Sequence, residues 1–361
     1  MHRARSIVFL LTLMVLSTIK GATMQALDSL MNLPAIALPM IKYAPETGWV
    51  FGAAVQGYFR LPEAERVSLI QATGAYTLHH QWYTNVGGSL YFGGSRPWIL
   101  QFRGGYRDYP DWYYDIGNTP TRKEAKSYTS KRGYAYIQPL FCLPRHWAVG
   151  VNSELIYEGK NTISKEIWMW GLGPVIQYDT RDILYYPTSG LFFKMAMLYC
   201  EPKLGSACRL VRLSADLRQY LLLSTRYRAI FAWQAYSVFS LSPDGTSTIP
   251  FQMLPTIGGD DLLRGIRSGI FRDNALLALQ AELRLPVWNF LYATIFAGVG
   301  DVYNTDHWNW TTPKAGYGAG LRVSINKAKI TLRFDVARNT INNSWTESSA
   351  YSYYFTATEA F

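Results

Sequence analysis

The sequence of 361 residues has no segment that could cross a membrane as a helix. A membrane helix needs about 20 consecutive apolar residues. The most apolar stretch after the N-terminus, Pro286 to Tyr303, is interrupted by Asn289, Thr294 and two glycines, and the apolar run from Ser6 to Ser17 is only twelve residues long. These absences exclude a helical membrane protein, so a chain of this sequence that resides in a membrane must cross it with strands.

Histidine is scarce, with five residues in the chain. Nucleophilic hydrolysis needs a serine, a histidine and a carboxylate within hydrogen-bond reach. The four histidines beyond the N-terminus all fall in predicted turns or loops, away from strand serines; they are His79, His80, His146 and His307. His79 and His80 have no further ligands at metal-binding spacing. We therefore predict no catalytic residue, no metal site and no cofactor.

The N-terminus has the order of a secretory signal peptide. Residues 2–5 carry the basic start, Ser6 to Ser17 the apolar run, and Gly21-Ala22 the small residues before a cleavage site. We predict a signal peptide over residues 1–22, with cleavage between positions 21 and 26. A buried helix of a cytosolic protein is the alternative. A short leader over residues 23–33 precedes the first predicted strand.

Apolar and polar residues alternate in segments of about ten residues, as in membrane strands that have one face in lipid. In 329–338, four apolar side chains alternate with inward residues that include Arg333 and Asp335. The segment Leu276 to Pro286 places Glu282 and Arg284 in the same way. Charges of both signs on one strand face do not fit a soluble core. A soluble β-sandwich remains the alternative.

Turn signals place thirteen strands beside the three clearest ones (209–221, 276–286 and 329–338), so we predict an all-β fold. The architecture is a sixteen-stranded antiparallel transmembrane β-barrel over residues 34–361, in which two of the strands are Trp98 to Arg107 and Ser130 to Phe141. Short turns alternate with long loops, and in bacterial barrels the short turns face the periplasm and the long loops face outward. The predicted long loops are Asp108 to Thr129, Ser240 to Asp273, Asn304 to Ala315 and Asn339 to Ala350.

Positive charge is scattered along the chain rather than gathered in one stripe. Lysine and arginine number 35 against 25 acidic residues, a formal net charge of +10. Because the basic residues form no stripe, we predict no nucleic-acid partner. Arg122, Lys123 and Lys126 fall in one predicted surface loop, where they either contact anionic lipopolysaccharide or are simply solvated. The expected surroundings are outer-membrane lipid and lipopolysaccharide.

Three cysteines in an oxidising compartment allow one disulfide. Cys200 and Cys208 flank a glycine-containing loop at the facing ends of two predicted strands. A bridge between them is compatible with this layout, and two free thiols are the alternative. Cys142 is expected to pack as a small apolar residue.

The segment 258–266, which reads GGDDLLRGI, carries a family resemblance. Together with FRDN at 271–274 and AELRLP at 281–286, it resembles the hallmark of the bacterial surface antigen superfamily of outer-membrane barrels. That superfamily holds the outer-membrane protein assembly factor, the barrel of the translocation and assembly module, and the two-partner secretion transporters. The resemblance covers about residues 34–361 and includes no POTRA (polypeptide-transport-associated) domain.

A second motif, DTRD at 179–182 followed by YPTSG at 186–190, resembles the superfamily's periplasmic turn before the ninth strand. The residues that carry this resemblance are Asp179, Arg181, Asp182, Pro187 and Gly190. A fainter match, YAPETG at 43–48, resembles the first hairpin.

The resemblance implies that the loop between the eleventh and twelfth strands folds back into the barrel lumen. Its arginine, Arg264, would pair with Glu282 of the twelfth strand. The superfamily's second acid is replaced by Gly298, which leaves Asp335 as a further candidate partner. In the alternative role, Arg264 only anchors a plug that keeps the pore shut. The implied lumen loop latch comprises Gly258, Gly259, Leu263, Arg264, Gly265, Glu282 and Asp335.

Pro39 lies in the first predicted strand, which must pair with the last strand to close the barrel. Proline cannot donate to a ladder, so the seam between this strand and the last one, which ends at Phe361, is weakened. Pairing that begins after Pro39 is the alternative. The resemblance also implies that the barrel assembly machinery reads the aromatic C-terminal strand during biogenesis.

The resemblance implies a role in inserting or translocating proteins, or lipids, at the outer membrane. Because only a short leader precedes the predicted barrel, we expect a separately encoded periplasmic POTRA-type partner. A passive or structural barrel with a narrow pore is the second hypothesis, and the loss of an acid at Gly298 favours it. An outer-membrane enzyme that modifies lipid is the third.

Overall fold

The structure, a computed structural model, describes most of the predicted strand region. The described residues are 35–44, 48–120, 125–184, 186–224, 226, 228–243, 245, 248–288, 290–305, 313–324, 331–341 and 351–356. The predicted signal peptide, the leader and Phe361 lie outside them. No helix among these residues is long and apolar enough to span a membrane.

Within the described residues the chain forms strands almost throughout. They are β1 (Ala35–Ala44), β2 (Gly48–Phe59), β3 (Ser68–Thr77), β4 (Trp82–Phe92), β5 (Trp98–Tyr113), β6 (Lys126–Cys142), β7 (Trp147–Glu158), β8 (Ile167–Asp179), β9 (Gly190–Cys200), β10 (Leu210–Leu222), β11 (Ile230–Leu241), β12 (Thr256–Ile257), β13 (Phe271–Arg272), β14 (Ala275–Pro286), β15 (Leu291–Tyr303), β16 (Lys314–Ser324), β17 (Thr331–Asn339) and β18 (Ser352–Thr356).

Sixteen of these strands form one antiparallel sheet in chain order, and β12 and β13 form a separate two-stranded hairpin. The sheet curls round until Cα atoms of β1 and β18 come within 8 Å of each other. Among the described residues no ladder of hydrogen bonds joins these two strands. The predicted all-β, sixteen-stranded antiparallel architecture is therefore confirmed, whereas its closure by pairing of the first and last strands is not observed.

Burial alternates along the strands with a period of two. In β17, Arg333 and Asp335 are buried while Leu332 and Phe334 between them are partly exposed. Because successive side chains of a strand point to opposite faces, the polar residues share the interior face of the curled sheet. The outer face carries exposed large apolar side chains such as Ile295, which suits contact with lipid.

The β5–β6 hairpin is longer than the sequence predicted. The expected strands stop at Arg107 and start at Ser130, but pairing continues to Tyr113 opposite Lys126. The Asp-Tyr-Pro-Asp stretch at 108–111 indicated a loop. Beyond Asp108, however, β5 has no ladder to β4. Pro110 therefore lies on a strand edge, where its lack of an N–H removes no ladder hydrogen bond.

The cysteines decide between two alternatives that the sequence left open, because none of the three forms a disulfide. Cys200 is paired in register with Leu210 across β9 and β10, not with Cys208. The Cys208 thiol instead lies 3.9 Å from the sulfur of Met169. Cys200 and Cys208 are therefore two buried members of an apolar cluster. The disulfide that the sequence allowed is not formed.

Candidate functional site

Residues 248–274 of the connection between β11 and β14, called here the interior loop, pack against the interior face of the sheet. Its residues Ile257, Leu263 and Ile266 are at most 1% exposed and pack with Leu276 and Val302 of the wall. The loop approaches the wall closely at Gly265, which has φ +98° and where an added Cβ would lie 2.7 Å from the carbonyl oxygen of Arg338. Only glycine fits both the conformation and the space.

Arg264 of the interior loop bridges two strands of the wall. Its Nη2 lies 2.8 Å from Oε2 of Glu282 on β14, and its Nη1 lies 2.6 Å from Oδ2 of Asp335 on β17. The guanidinium also lies over the ring of Phe296, 3.5 Å from its centroid. The structure thus brings Arg264 together with both acids named from the sequence, and all three charged side chains are at most 1% exposed.

Two wall arginines share the same carboxylates, and neither was assigned to the site from the sequence. Arg322 of β16 lies 2.5 Å from Oδ1 of Asp335 and 3.1 Å from Oε2 of Glu282. Arg284 of β14 contacts Oε1 of Glu282 at 2.8 Å. Each of these arginines occupies an inward position between two apolar residues of its strand, and this pattern could have marked it in the sequence.

A fourth arginine, on the wall, pairs with acids of the interior loop. Nη2 of Arg333, on β17, donates to the carbonyl oxygen of Asp260 at 3.0 Å and lies 3.8 Å and 3.9 Å from the carboxylates of Asp260 and Asp261. The loop therefore offers a cation to wall acids and acids to a wall cation. We call this set the ion-pair network: Asp260, Asp261, Arg264, Glu282, Arg284, Arg322, Arg333 and Asp335.

Glycine at position 298, where the superfamily's second acid was expected, makes room for the interior loop. A Cβ added there would lie 2.8 Å from Cδ1 of Leu263 and 3.0 Å from Cβ of Gln280. An acidic side chain at this position would collide with Leu263. The second carboxylate instead comes from Asp335, two strands further round the sheet.

The interior loop has further anchors on β5 and on β7 to β10. Met253 and Leu254 are buried among residues of β7 to β10. Nη2 of Arg212, on β10, donates to the carbonyl oxygen of Met253 at 2.7 Å. The ring of Phe251 packs against Tyr113 of β5, with 4.5 Å between the ring centroids. Because β5 lies far round the sheet from β14 to β17, the loop crosses the interior.

The turn before β9 (residues 180–184 and 186–189) is held by a dense set of polar contacts. Asp179 pairs with Arg181 at 2.9 Å and with Arg66 at 2.7 Å. Asp182 accepts hydrogen bonds from the N–H groups of Ile183, Thr188 and Ser189 and from the Thr188 hydroxyl. Burial alone would raise the pKa of Asp182, but these hydrogen bonds outweigh it and hold that pKa below its ordinary value.

Two further motif residues connect this turn to its surroundings. Gly190 has φ +110°, and a Cβ there would overlap the carbonyl oxygen of Thr180, so the turn requires glycine. Nη1 of Arg284 lies 3.5 Å from the carbonyl oxygen of Pro187, which links the turn to the ion-pair network.

Two further residues singled out from the sequence belong to the predicted seam. Pro39 is opposite Ala53 in an uninterrupted register between β1 and β2, and Phe361 lies outside the described residues. Among the residues that the structure describes, no three of the side chains His, Cys, Asp and Glu form a metal-binding group. His80 contacts the hydroxyl of Tyr76 at 2.7 Å through Nδ1.

Solved structures share this fold at low sequence identity. BamA from Haemophilus ducreyi lacking POTRA domains 1–3 superimposes with a TM-score of 0.59 and 15% identity over 89% of this chain and 69% of that one. CdiB from Acinetobacter baumannii gives 0.59 and 14%, over 89% and 58%. CdiB from Escherichia coli gives 0.63 and 12%, over 90% and 62%. The chain therefore spans only about three fifths of the CdiB chains.

No curated protein matches the chain. The model of the Omp85 superfamily domain, however, matches residues 83–361, which is well over half of the sequence. This match covers the interior loop and the turn before β9, the two segments from which the resemblance was drawn, and it confirms that resemblance. The chain belongs to the Omp85 superfamily.

Proposed function

We propose that the protein assists the insertion or translocation of proteins, or of lipids, at the bacterial outer membrane. Membership of the Omp85 superfamily implies the outer membrane as its location. The observation that carries the proposal is the interior loop, which crosses the interior and is held to the wall by the ion-pair network. A barrel that served only as an open channel has no use for such a loop.

The network can hold the loop and still release it. Removing one partner of a buried ion pair costs about 3–5 kcal/mol because the other charge is left uncompensated. When the loop moves as a whole, however, the wall keeps Glu282 and Asp335 in contact with Arg284 and Arg322. Each wall acid therefore keeps a cation, so displacement of the loop leaves no wall carboxylate without a charged partner.

The seam between the first and last strands supports a lateral route. β1 and β18 lie side by side without a ladder in the described residues. A client strand could pair with β1 at this edge while the remaining strands keep their register. In this proposal the seam exposes the edge and the interior loop regulates access to the interior.

Depletion of the protein from its host tests the proposal. A census of outer-membrane proteins after depletion should show selective loss of other barrels, or of surface-exposed lipid if lipid is the cargo. An unchanged outer-membrane composition after complete depletion would refute the proposal.

A separately encoded periplasmic POTRA-type protein is the partner that we propose for this activity. Chemical cross-linking in intact cells, followed by purification from native membranes, should recover a periplasmic protein bound near the 180–189 turn. Recovery of the protein without any periplasmic component would contradict the partnership, while leaving the insertion activity to be tested by depletion.

A passive or structural barrel is the second candidate function. The packing of the interior loop against the inner face of the sheet favours it, because a loop in this position narrows any pore. Single-channel conductance of the wild type and of Arg264→Ala distinguishes the two. A plugged pore opens in the variant, whereas an insertion machine loses activity in cells without becoming leaky.

A further inference from the structure

Between the interior loop and the 180–189 turn lies a cavity of about 990 Å³. Asp261 and Leu262 of the loop line one side, and Arg181 and Leu184 of the turn line another. A side pocket of about 270 Å³ shares Arg181, Leu184 and three further residues with it: Arg103, Tyr136 and Arg218. The cavity wall is otherwise formed by inward side chains of β2, β3, β6, β7 and β9 to β11.

The strand acids that line the cavity already have cationic partners. Asp216 contacts Arg218 at 2.5 Å. Glu154 contacts Arg212 at 3.3 Å. Asp179, behind the lining residue Arg181, contacts that arginine at 2.9 Å. Each of these carboxylates is therefore in direct contact with a cation other than Lys194 and Arg103, the remaining two cations of the cavity.

Lys194 and Arg103 have no acid within 4 Å in the described part of the chain. Nζ of Lys194 donates to Oε1 of Gln101 at 3.0 Å and to the hydroxyl of Tyr136 at 2.9 Å. An ammonium group has three donors, so one remains. Arg103 lies opposite Tyr136 in the β5–β6 register. It lines the cavity although its side chain is exposed, so its guanidinium projects into the open space.

Tyr136 therefore lies next to both cations, and all three side chains line the same cavity. Its hydroxyl accepts from Lys194 and keeps its own hydrogen for donation. An ammonium, a guanidinium fork and a hydroxyl together match a tetrahedral oxyanion with several acceptor oxygens. Two cations without an acid in direct contact would attract such an anion.

We propose that this cavity binds a small water-soluble oxyanion of the phosphate class, held by Lys194, Arg103 and Tyr136. The cavity of about 990 Å³, which Lys194, Arg103 and Tyr136 all line, has room for inorganic phosphate or a small phosphate monoester. Its largely polar lining favours a dissolved ion over a lipid head group. The proposal does not depend on the insertion activity.

Calorimetric titration of the full-length protein in a neutral detergent tests the site. Inorganic phosphate is titrated in a buffer that contains no other oxyanion. We expect saturable binding that weakens about tenfold or more in Lys194→Gln and in Arg103→Gln, since each removes a charge-assisted hydrogen bond. Lys131→Gln and Arg60→Gln, which make the same charge changes at exposed positions outside the cavity, should bind like the wild type.

Three results would overturn the site. They are no saturable binding of phosphate by the wild type, equal binding by the cavity variants and the wild type, and binding of a short-chain phosphatidic acid without any binding of inorganic phosphate. The folded state of each variant is verified by its heat-dependent migration on denaturing gels. A variant that fails to fold is replaced by Tyr136→Phe, which removes only the hydroxyl and should weaken phosphate binding.

Discussion

Nη1 of Arg264 lies 2.6 Å from Oδ2 of Asp335, although the two residues are 71 positions apart in the chain. Both side chains are at most 1% exposed. This contact fixes the interior loop against β17, close to the last strand of the sheet. The interior loop is therefore in contact with a strand next to the seam.

Replacement of Arg264 by alanine should free the inner part of the interior loop. The variant leaves Glu282 and Asp335 with wall arginines only, and the loop loses its contact with Phe296. Limited digestion with proteinase K, followed by mass spectrometry, should show new cleavage between residues 258 and 270. Arg264→Lys, which keeps the charge but cannot bridge both carboxylates as a fork, should give intermediate cleavage. Equal resistance in all three proteins would show that Arg264 does not hold the loop.

Gly298→Ala should destabilise the protein by about 1–3 kcal/mol, the usual cost of overpacking, because the added Cβ collides with Leu263. Unfolding in guanidinium chloride measures the effect. Leu263→Ala should cost less on this background than in the wild type, because relief of the clash offsets part of the cavity that it creates. Gly74→Ala is the matched control, since its nearest atom to an added Cβ is 4.0 Å away. A Gly298→Ala variant as stable as the control would contradict the close packing of loop and wall.

All three cysteines should react as thiols once the protein is unfolded. The protein is denatured without reductant, alkylated and weighed by mass spectrometry. We expect three alkyl groups on a chain purified from its native membrane. A mass with one alkyl group would show that Cys200 and Cys208 form the bridge after all.

Acid should loosen the 180–189 turn. Hydrogen bonds lower the pKa of Asp182 in the folded state, so its contribution to stability is present above its unfolded pKa of about 3.9. That contribution is lost as pH falls through the lower folded pKa. The melting temperatures of the wild type and of Asp182→Asn should therefore differ at neutral pH and converge in acid. A difference that does not change with pH would exclude the ionised carboxylate as its cause.

Much of the sheet could be predicted because strand alternation and turn residues are local signals. Turn signals predict strands from Trp147 to Glu158 and from Gly190 to Cys200, and β7 and β9 have these bounds in the structure. The extension of β5 and β6 was missed because Pro110 is tolerated on an edge that only the neighbouring strand defines. An alternating pattern cannot indicate where a neighbouring strand ends.

The candidate site was only partly accessible to sequence reasoning. Arg264 and Glu282 were named through the family resemblance, and their pairing is a contact across the interior. The pairing of Arg333 with Asp260 joins a wall strand to a loop that lies more than seventy residues earlier, so no local pattern reports it. The role of Gly298 also required the position of Leu263, which the sequence does not give.

A double-mutant cycle between Arg264 and Asp335 tests the central claim, that the loop is held inside by the ion-pair network, most directly. Free energies of unfolding are measured for the wild type, Arg264→Ala, Asp335→Ala and the double variant. Residues in one buried ion-pair network should show a coupling of about 0.5–3 kcal/mol, with the double variant less destabilised than the sum of the single ones. Strictly additive effects would show that the two side chains are not in contact and would contradict the account.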